Sequence, residues 1–167
     1  CLDDGAMADK VAEQNKEGQD LGVSGTPSFF INGIMIVGSQ PKESFEKIID
    51  AELKDGSGVA ASSALEGEKV TRKKLATVGT GYVKGGQSAK VKIVEYTDFE
   101  CPYCNRAFPT IEGLLTKYGE NVSLEYRSFP LSFHANAQKA AEAALCAGEQ
   151  GKFWEMHDKM FTVMSGK

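Results

Sequence analysis

Short apolar runs separated by turn residues divide the first part of the chain into a helix, a hairpin and a second helix. Asp3–Leu21 is polar and compatible with a helix. Ser28–Ile31 and Ile34–Val37 are apolar and flank Asn32-Gly33, the strongest short-range signal for a two-residue hairpin turn. Pro41–Leu53 predicts a helix because a proline suits the first turn and the apolar residues share one face. Those apolar residues are Phe45, Ile48 and Ile49.

The later part of the chain has the pattern of a strand, a helix and a second strand. Val91–Tyr96 is an apolar run of the kind found in buried parallel strands. A helix is expected after Cys101, and Val122–Arg127 is the next strand, so the three elements predict one right-handed βαβ unit. The helix has apolar residues at helical spacing: Phe108, Ile111, Leu114, Leu115 and Tyr118. His134–Ala147 and Phe153–Met164 predict two further helices.

Residues 54–81 differ in composition from both flanking parts, since they consist mainly of glycine, serine, alanine and charged residues. This composition predicts a linker, with a short helix around Val70–Ala76. Its basic residues favour a solvated surface over a binding patch. They include Lys69, Arg72, Lys73 and Lys74.

The composition is that of one globular domain. The chain has 167 residues, of which 41% are hydrophobic and 25% charged, so it is long enough to bury a core. Its net charge of -4 argues against nucleic acid as a partner. No apolar run approaches the ~18 residues that a membrane-spanning helix needs.

Cys101-Pro102-Tyr103-Cys104 is the motif that carries chemistry. Two thiols at this spacing can close a small disulfide at the first turn of a helix, where amide groups and the helix dipole stabilise a thiolate. Within a βαβ pattern the motif predicts redox activity. Cys101 is expected to be the exposed nucleophile with a low pKa, and Cys104 the more buried resolving thiol. The predicted reaction is thiol–disulfide exchange through a mixed disulfide at Cys101.

The same motif could instead be half of a zinc site, which would need two further ligands. The candidates are Cys1, Cys146, His134 and His157. We expect no metal, because the chain has no second pair of cysteines at this spacing and Pro102 suits the start of a helix.

Cys1 and Cys146 are the two remaining cysteines. Four cysteines allow three pairings, and the close pair makes 101–104 with 1–146 the natural choice. A second, structural disulfide would favour an oxidising compartment. Two alternatives remain open at this point: a pair of free buried thiols, and a lipid-modified anchor at Cys1.

Three motifs resemble the DsbA-like thiol–disulfide oxidoreductases of the thioredoxin superfamily. They are IVEYTDFECPYC, the segment from YRSFPLSFHANAQKAAEAALCAGEQ to GKFWEMHDKMF, and GVSGTPSFFINGIMIVGSQPKESFEKIIDAEL. Together they cover residues 1–53 and 82–167, which is everything except the linker. The resemblance implies an α/β fold, with a thioredoxin-like mixed sheet and a helical insertion. His134–Met164 and Cys1–Leu21 resemble parts of that insertion, so the resemblance also brings Cys1 and Cys146 together.

The resemblance implies a protein-disulfide oxidoreductase that needs no cofactor. It would act outside the cytoplasm, as in the periplasm, on protein or peptide thiols and disulfides, as an oxidant or an isomerase. A second possibility is a reductase supplied with electrons by a membrane redox partner. The family's strong oxidants often carry histidine where this chain has Tyr103, and Asp98 and Glu100 are expected to oppose the Cys101 thiolate.

Thr26-Pro27 resembles the cis-proline loop that lies against the disulfide in this superfamily. The resemblance implies that the backbone of Thr26 pairs with a substrate peptide as an added strand. The alternative is an ordinary trans-proline turn at the start of a strand.

Glu95 alternates onto the same face as Val91 and Ile93, so it is expected to be at least partly buried. Burial would raise the pKa of its carboxyl, which could then relay a proton to the resolving thiol. The family also has an acidic residue at this position. The alternative is a charge at the strand end that reaches solvent.

His134 could form a catalytic pair with a cysteine, but the sequence favours a role in capping the next helix or in local packing.

The motifs stand in circularly permuted order, since Pro27 precedes Cys101 whereas the family has its cysteine motif first. Residues 1–53 correspond to the C-terminal half of a module and residues 82–167 to the N-terminal half. Either the chain closes on itself through the linker, or it spans the junction of two tandem modules. In both cases the halves should build one core, in a monomer or a domain-swapped dimer. The alternative function is a non-catalytic or partner-dependent fragment that assembles by domain exchange.

Overall fold

The computed structural model describes residues 1–54, 72–75 and 81–164. In chain order, its helices are α1 (Ala8–Asp20), α2 (Lys42–Lys54), α3 (Pro102–Tyr118), α4 (Ala137–Gly148) and α5 (Phe153–Met164). Its strands are β1 (Ser28–Ile31), β2 (Ile34–Val37), β3 (Val83–Gly85), β4 (Val91–Thr97) and β5 (Val122–Ser128). A short 3₁₀ turn, Gly119–Asn121, connects α3 to β5.

The strands form one mixed sheet in the order β2-β1-β4-β5-β3. β4 and β5 are parallel, as the βαβ pattern predicts, and the other neighbouring pairs are antiparallel. β1 pairs with β2 on one side and with β4 on the other, so Phe30 lies opposite both Met35 and Val94. The predicted thioredoxin-like α/β fold is confirmed, and strands from residues 1–53 and 82–167 lie in the same sheet.

The β1–β2 turn is also as predicted. Asn32 and Gly33 both have positive φ, 45° and 88°, which is the backbone of a two-residue hairpin turn. The Asn32 side chain fastens the turn to its surroundings: its Nδ2 donates to Glu52 Oε2 at 2.8 Å, and its Oδ1 accepts from the Lys92 N–H at 2.9 Å. The hairpin is therefore held to both α2 and β4.

Helices cover both faces of the sheet. On one face, α2 and α3 pack an apolar core against β4 and β5, and this core includes Phe45, Ile48, Ile93, Ile111 and Leu124. On the other side, Val94, Tyr96 and Phe30 face Phe129 and the segment after α1. A second helical cluster joins α1, α4 and α5 to the start of α3.

α1 lies against the ends of β4 and β5 through polar contacts. Gln14 Oε1 accepts from the Ser128 N–H at 2.8 Å. Glu17 accepts from the Tyr96 hydroxyl at 2.9 Å and pairs with buried Arg127 at 3.2 Å. Because each of these buried groups is paired, α1 is fixed in position although most of its surface is polar.

Cys1 and Cys146 form a disulfide that joins the chain start to α4. Its two residues are separated by 145 positions in the sequence, so it encloses most of the chain. A cross-link over so long a loop removes much conformational freedom from the unfolded state.

The structure differs from the sequence analysis in the following elements. The Ala-rich helix begins at Ala137 instead of His134, because the preceding turn is bound to acidic side chains near the cysteine motif. β3, which has only three residues, is not predicted by the sequence pattern. Arg72–Leu75, the described part of the expected linker helix, is not helical: Arg72 forms a β-bridge with Ile34 and an ion pair with buried Glu52. The rest of that helix lies outside the described residues.

Replacing both Cys1 and Cys146 with serine should lower the free energy of unfolding by about 4–5 kcal/mol, because the unfolded chain regains the entropy of a very long loop. Urea denaturation of the oxidised wild type and the double variant measures the difference. The wild type with the reductant present provides the control, since it should approach the variant. Equal stability of all three samples would contradict this role for the disulfide.

Candidate active site

The cysteine motif lies where β4 ends and α3 begins. Cys101 is the N-cap of α3, with an extended backbone (φ −76°, ψ 120°), and Pro102 takes the first helical position. The Cys101 carbonyl accepts the first helical hydrogen bond, from the Asn105 N–H at 3.1 Å. The Cys101 sulfur is therefore held at the positive end of the helix dipole, next to the amide groups of the first turn.

The Thr26-Pro27 loop lies directly against this turn. The Thr26-Pro27 peptide bond is cis. The Cys101 Sγ lies 3.4 Å from the Thr26 carbonyl oxygen, to which the thiol donates. Two segments 75 positions apart in sequence thus meet at the reactive sulfur.

The prediction that Cys101 is exposed is wrong. Cys101 is only 4% exposed, and Cys104 is fully buried at 0%. Cys101 is covered because the Thr26 loop approaches its sulfur, and because it packs in a cluster with Phe99, Tyr126 and Phe161. Both thiols are unbonded in this structure. Of the two cysteines, only Cys101 has any solvent-exposed surface.

The two thiols have opposite pKa shifts. The hydrogen bond from Cys104 is the main cause that lowers the pKa of Cys101 to about 5, helped by the Thr26 side chain and the amides of Cys104 and Tyr103. Burial opposes this shift. Burial is also the main cause that raises the pKa of Cys104, and the neighbouring Cys101 raises it further. One thiolate is therefore strongly favoured at Cys101, while Cys104 keeps its proton.

Glu95 lies deep in the sheet. It is 4% exposed and stands between Phe29 of β1 and Tyr126 of β5, so the alternative of a solvent-reaching charge does not hold. Burial raises the pKa of its carboxyl to about 7, although the nearby Thr97 hydroxyl acts in the opposite direction. At neutral pH this group can both hold and release a proton.

Asp98 organises the turn between β4 and α3. Its backbone N–H donates to Cys104 Sγ at 3.5 Å, and its carbonyl accepts from the Cys101 N–H at 3.1 Å. Its buried carboxylate accepts from the Glu100 and Leu131 N–H groups at 2.8 and 2.9 Å. The same carboxylate lies 2.7 Å from His134 Nδ1. Asp98 therefore holds both cysteines through its backbone and the turn before α4 through its side chain.

Glu100 makes the second connection to the helical insertion. Its carboxylate accepts from the Asn136 backbone N–H at 2.6 Å and from the Asn136 side chain at 2.9 Å. The Asn136 side chain and backbone lower the pKa of this carboxyl. Both carboxylates are thus bound to the segment that leads into α4, and their opposition to the Cys101 thiolate stays a prediction.

Both histidines have local partners. His134 is bonded to Asp98, which agrees with local packing and not with a Cys–His pair. His157 is buried among aromatic rings and bonds Asp158 through Nδ1 at 2.8 Å. Among the described residues, no group of three or more histidine, cysteine, aspartate or glutamate side chains could hold a metal ion.

Tyr103 forms an exposed surface beside the buried pair. It is 54% exposed, and the Arg106 guanidinium lies over its ring at 5.2 Å from the centroid.

Of the predicted site residues, the structure brings together Cys101, Cys104, Glu95, Thr26 and Pro27, and it places the Cys1–Cys146 disulfide in the helical insertion. The part of the chain with described positions contains no helix that is long and apolar enough to cross a membrane.

Sequence reasoning missed two residues of this site as contributors. For Asp98 the sequence predicts only a repulsive effect, because its contacts come from a distant turn that no local pattern specifies. Thr97 does not stand out in the sequence, although its position two residues after Glu95 places both side chains on one face of β4. That alternation was the available signal.

Comparison with known families agrees with this geometry. A family model described as "Thioredoxin" matches residues 77–164, and a model described as "DSBA-like thioredoxin domain" matches residues 1–50. No solved structure matches the chain.

The similar curated proteins carry the name of a transporter. The chain is 53% identical over 78 residues to "Na(+)/H(+) antiporter NhaA 1" of Salinispora arenicola, and the match covers 46% of this chain and 12% of the antiporter. "Na(+)/H(+) antiporter NhaA 3" of Salinispora tropica gives the same identity and coverage. "Na(+)/H(+) antiporter NhaA" of Herminiimonas arsenicoxydans is 35% identical over 81 residues, or 48% of this chain and 13% of the antiporter.

The matched segment is therefore a small part of each of these relatives, and the family assignment comes from the two family models. The thioredoxin model covers more than half of the chain, including both active-site cysteines. The DsbA-like model covers the segment that contains Thr26-Pro27. The chain belongs to the thioredoxin family, and its first 50 residues match the DsbA-like thioredoxin domain.

Proposed function

We propose that the protein is a thiol–disulfide oxidoreductase that exchanges disulfides with protein or peptide thiols through a mixed disulfide at Cys101. The observation that carries this proposal is the asymmetric cysteine pair. Cys101 has its pKa lowered to about 5 at the N-cap of α3, and its sulfur lies 3.4 Å from the Thr26 carbonyl. Cys104 is fully buried beside it and has a raised pKa.

In the oxidising direction, a substrate thiolate attacks Cys101 Sγ and the bond between Cys101 and Cys104 breaks. Cys104 leaves as a thiolate and takes a proton from the Glu95 carboxyl. A second substrate thiolate then attacks the substrate sulfur of the mixed disulfide, and Cys101 leaves as a thiolate. The substrate gains a disulfide, and the protein is left with two reduced cysteines. The low pKa of Cys101 makes it a good leaving group in the last step.

The shifted pKa values favour the oxidising direction over the reducing one. A stabilised Cys101 thiolate lowers the free energy of the reduced protein, and this makes the disulfide form a stronger oxidant. A measured potential of the 101–104 pair separates an oxidant from a reductase that receives electrons from a membrane redox partner.

Substrate contact is proposed at the Thr26 backbone. An extended peptide that forms backbone hydrogen bonds with Thr26 would bring its own sulfur close to Cys101. This follows because the Thr26 carbonyl oxygen lies 3.4 Å from the Cys101 sulfur. The exposed Tyr103 ring would form the other side of the approach. Affinity would then come largely from the main chain, so many cysteine-containing sequences could serve as substrates.

An extracytoplasmic location is proposed because the Cys1–Cys146 disulfide persists only where thiols are not kept reduced. Since the chain matches about 12% of the length of the antiporters, the transport named for those proteins is not proposed for this chain.

A monomer is proposed because β1 pairs with β4 of the same chain. Exchange of the first segment between two copies would use the same contacts and give a domain-swapped dimer. Light scattering over a range of concentrations distinguishes the monomer from the dimer. A dimer whose subunits exchange with those of other dimers only after unfolding would support the domain-swapped form.

Cys101 should react alone when the reduced protein is treated with iodoacetamide between pH 6 and 7. Its thiolate predominates there, whereas Cys104 is buried and protonated. Mass spectrometry of the peptides gives the modified position and the rate at each pH. Cys101→Ser provides the control, since it should leave Cys104 unmodified over the same time. Equal rates at the two cysteines would exclude the proposed roles.

Replacing Glu95 with glutamine should slow resolution of the mixed disulfide and stabilise the fold above neutral pH. The folded carboxyl has a pKa of about 7, above the value of about 4.3 in an unfolded chain. Between these values the unfolded state releases its proton while the folded state keeps it, so wild-type stability falls as the pH rises. The loss amounts to roughly 3 kcal/mol by pH 8 and is absent from the variant.

Denaturation of both proteins at pH 4.5, 6 and 8 measures this difference. Glu100→Gln is the matched control, because the Glu100 pKa is lowered: its contribution is lost only below the unfolded value of about 4.3, so this change should have a constant effect between pH 6 and 8. A Glu95→Gln variant whose stability follows the wild type at all three pH values would show that Glu95 ionises normally.

A further inference from the structure

Thr97 is a buried polar residue beneath the cysteine pair. It is the last residue of β4 and is 1% exposed. Within residues 1–54, 72–75 and 81–164, its Oγ1 has no partner in hydrogen-bonding geometry. A buried hydroxyl without a partner is unfavourable, so a residue of this type at this position requires a reason.

Thr97 lies near both groups of the site that carry a proton, the Glu95 carboxyl and the Cys104 thiol. Thr97 and Glu95 share one face of β4, which is the face that Val91 and Ile93 present to α2 and α3. Cys104 lies in the first turn of α3, above the end of this face. The residue after Thr97 is in direct contact with Cys104, since the Asp98 N–H donates to Cys104 Sγ at 3.5 Å. The end of β4 is thereby held close to the Cys104 thiol.

The hydroxyl acts on both neighbours. Burial raises the pKa of the Glu95 carboxyl and of the Cys104 thiol, and the Thr97 hydroxyl lowers both. It can do so because a hydroxyl donates to either anion and accepts from either acid. In the dithiol state neither group holds it in a fixed hydrogen bond, so it can turn from one to the other.

We propose that the Thr97 hydroxyl relays the proton between the Glu95 carboxyl and the Cys104 thiol, a role that rests on the proposed exchange function. When Cys104 resolves a mixed disulfide, its proton passes to Thr97 Oγ1 while the Thr97 hydroxyl proton passes to the Glu95 carboxylate. The Cys104 thiolate attacks Cys101 Sγ, and the bond between Cys101 and the substrate sulfur breaks. The substrate leaves as a thiolate, so one negative charge moves from Glu95 to the substrate.

Other titratable groups surround this path. α3 contributes Cys101 and Glu112, β5 contributes Tyr126, and the turn after β4 contributes Asp98. Glu112 raises the pKa of Glu95, and burial raises the pKa of Tyr126 far above neutral pH. Substitutions at Thr97 leave all four groups in place, so an altered pH profile can be assigned to the hydroxyl.

Thr97→Val and Thr97→Ser test the relay. Valine keeps the branched shape and removes the hydroxyl, whereas serine keeps the hydroxyl. The reduced protein is mixed with a chromogenic aromatic disulfide in a stopped-flow instrument between pH 5.5 and 9. Attack by Cys101 releases the first aromatic thiolate, and resolution by Cys104 releases the second in a first-order phase.

We expect Thr97→Val to slow the second phase about tenfold or more at pH 7.5, and to remove its inflection near pH 7. Thr97→Ser should stay within about twofold of the wild type, and the first phase should be unchanged in both variants. Thr26→Val is the matched comparison, because it removes a hydroxyl that acts on the Cys101 sulfur and leaves the Thr97 hydroxyl in place. The Thr26 hydroxyl is also buried without a hydrogen-bond partner among the described residues and acts on Cys101, so this change should alter the first phase.

A second phase in Thr97→Val that matches the wild type across this pH range would overturn the relay and leave the proposed function intact. A wild type that releases no second thiolate would overturn the proposed function itself. NMR titration of the Glu95 carboxyl in the reduced protein needs no turnover: its pKa should rise in Thr97→Val and not in Thr97→Ser. An unchanged Glu95 pKa in Thr97→Val would exclude the coupling.

The fold of the variants can be checked independently. Because the removed hydroxyl has no partner, Thr97→Val should melt at the same temperature as the wild type or above it. Thr97→Ala, with a smaller side chain, supplies the same kinetic comparison should valine prevent folding.

Discussion

The antiparallel pairing of β1 with β4 is the contact on which the rest of the structure depends. It places Ser28 opposite Tyr96 and Ile31 opposite Ile93, and so joins the hairpin of the first segment to the βαβ unit of the second. A shift of one residue would turn Phe29 and Ile31 away from the core that they share with α2 and α3. The same register brings Thr26, just before β1, to the sulfur of Cys101, just after β4. Assembly of the core and assembly of the site are therefore one event.

The site itself depends on unequal burial of two similar groups. Cys101 stands at the helix N-cap, where amides and Cys104 stabilise its thiolate, whereas Cys104 lies in the apolar interior. Glu95 is buried on the strand below and holds its proton up to about neutral pH. Because Asp98 and Glu100 bind the segment leading into α4, the helical insertion is also fixed to this turn. Movement of the insertion would therefore reach the cysteines through two short hydrogen-bonded connections.

Elements with strong local signals could be predicted from the sequence. The Asn32-Gly33 hairpin, the parallel β4–β5 pair and the helices α2, α3 and α5 follow from turn chemistry and apolar periodicity. β3 could not, because three residues with a mostly exposed pattern carry no periodic signal. The burial of Cys101 and the connections made by Asp98 depend on segments distant in sequence, so local patterns do not specify them. Glu95 could be placed correctly since alternation along one strand fixes its face.

Cross-strand NOEs between residues 28–31 and 93–96 test the central claim most directly. They should be measured in uniformly labelled protein and again after the labelled protein is unfolded and refolded with a ninefold excess of unlabelled protein. Closure within one chain predicts the same relative NOE intensities in both samples, because every labelled β1 pairs with the labelled β4 of its own chain. NOEs that are absent from the first sample would contradict the β1–β4 pairing, and NOEs that are lost only on dilution would contradict closure within one chain.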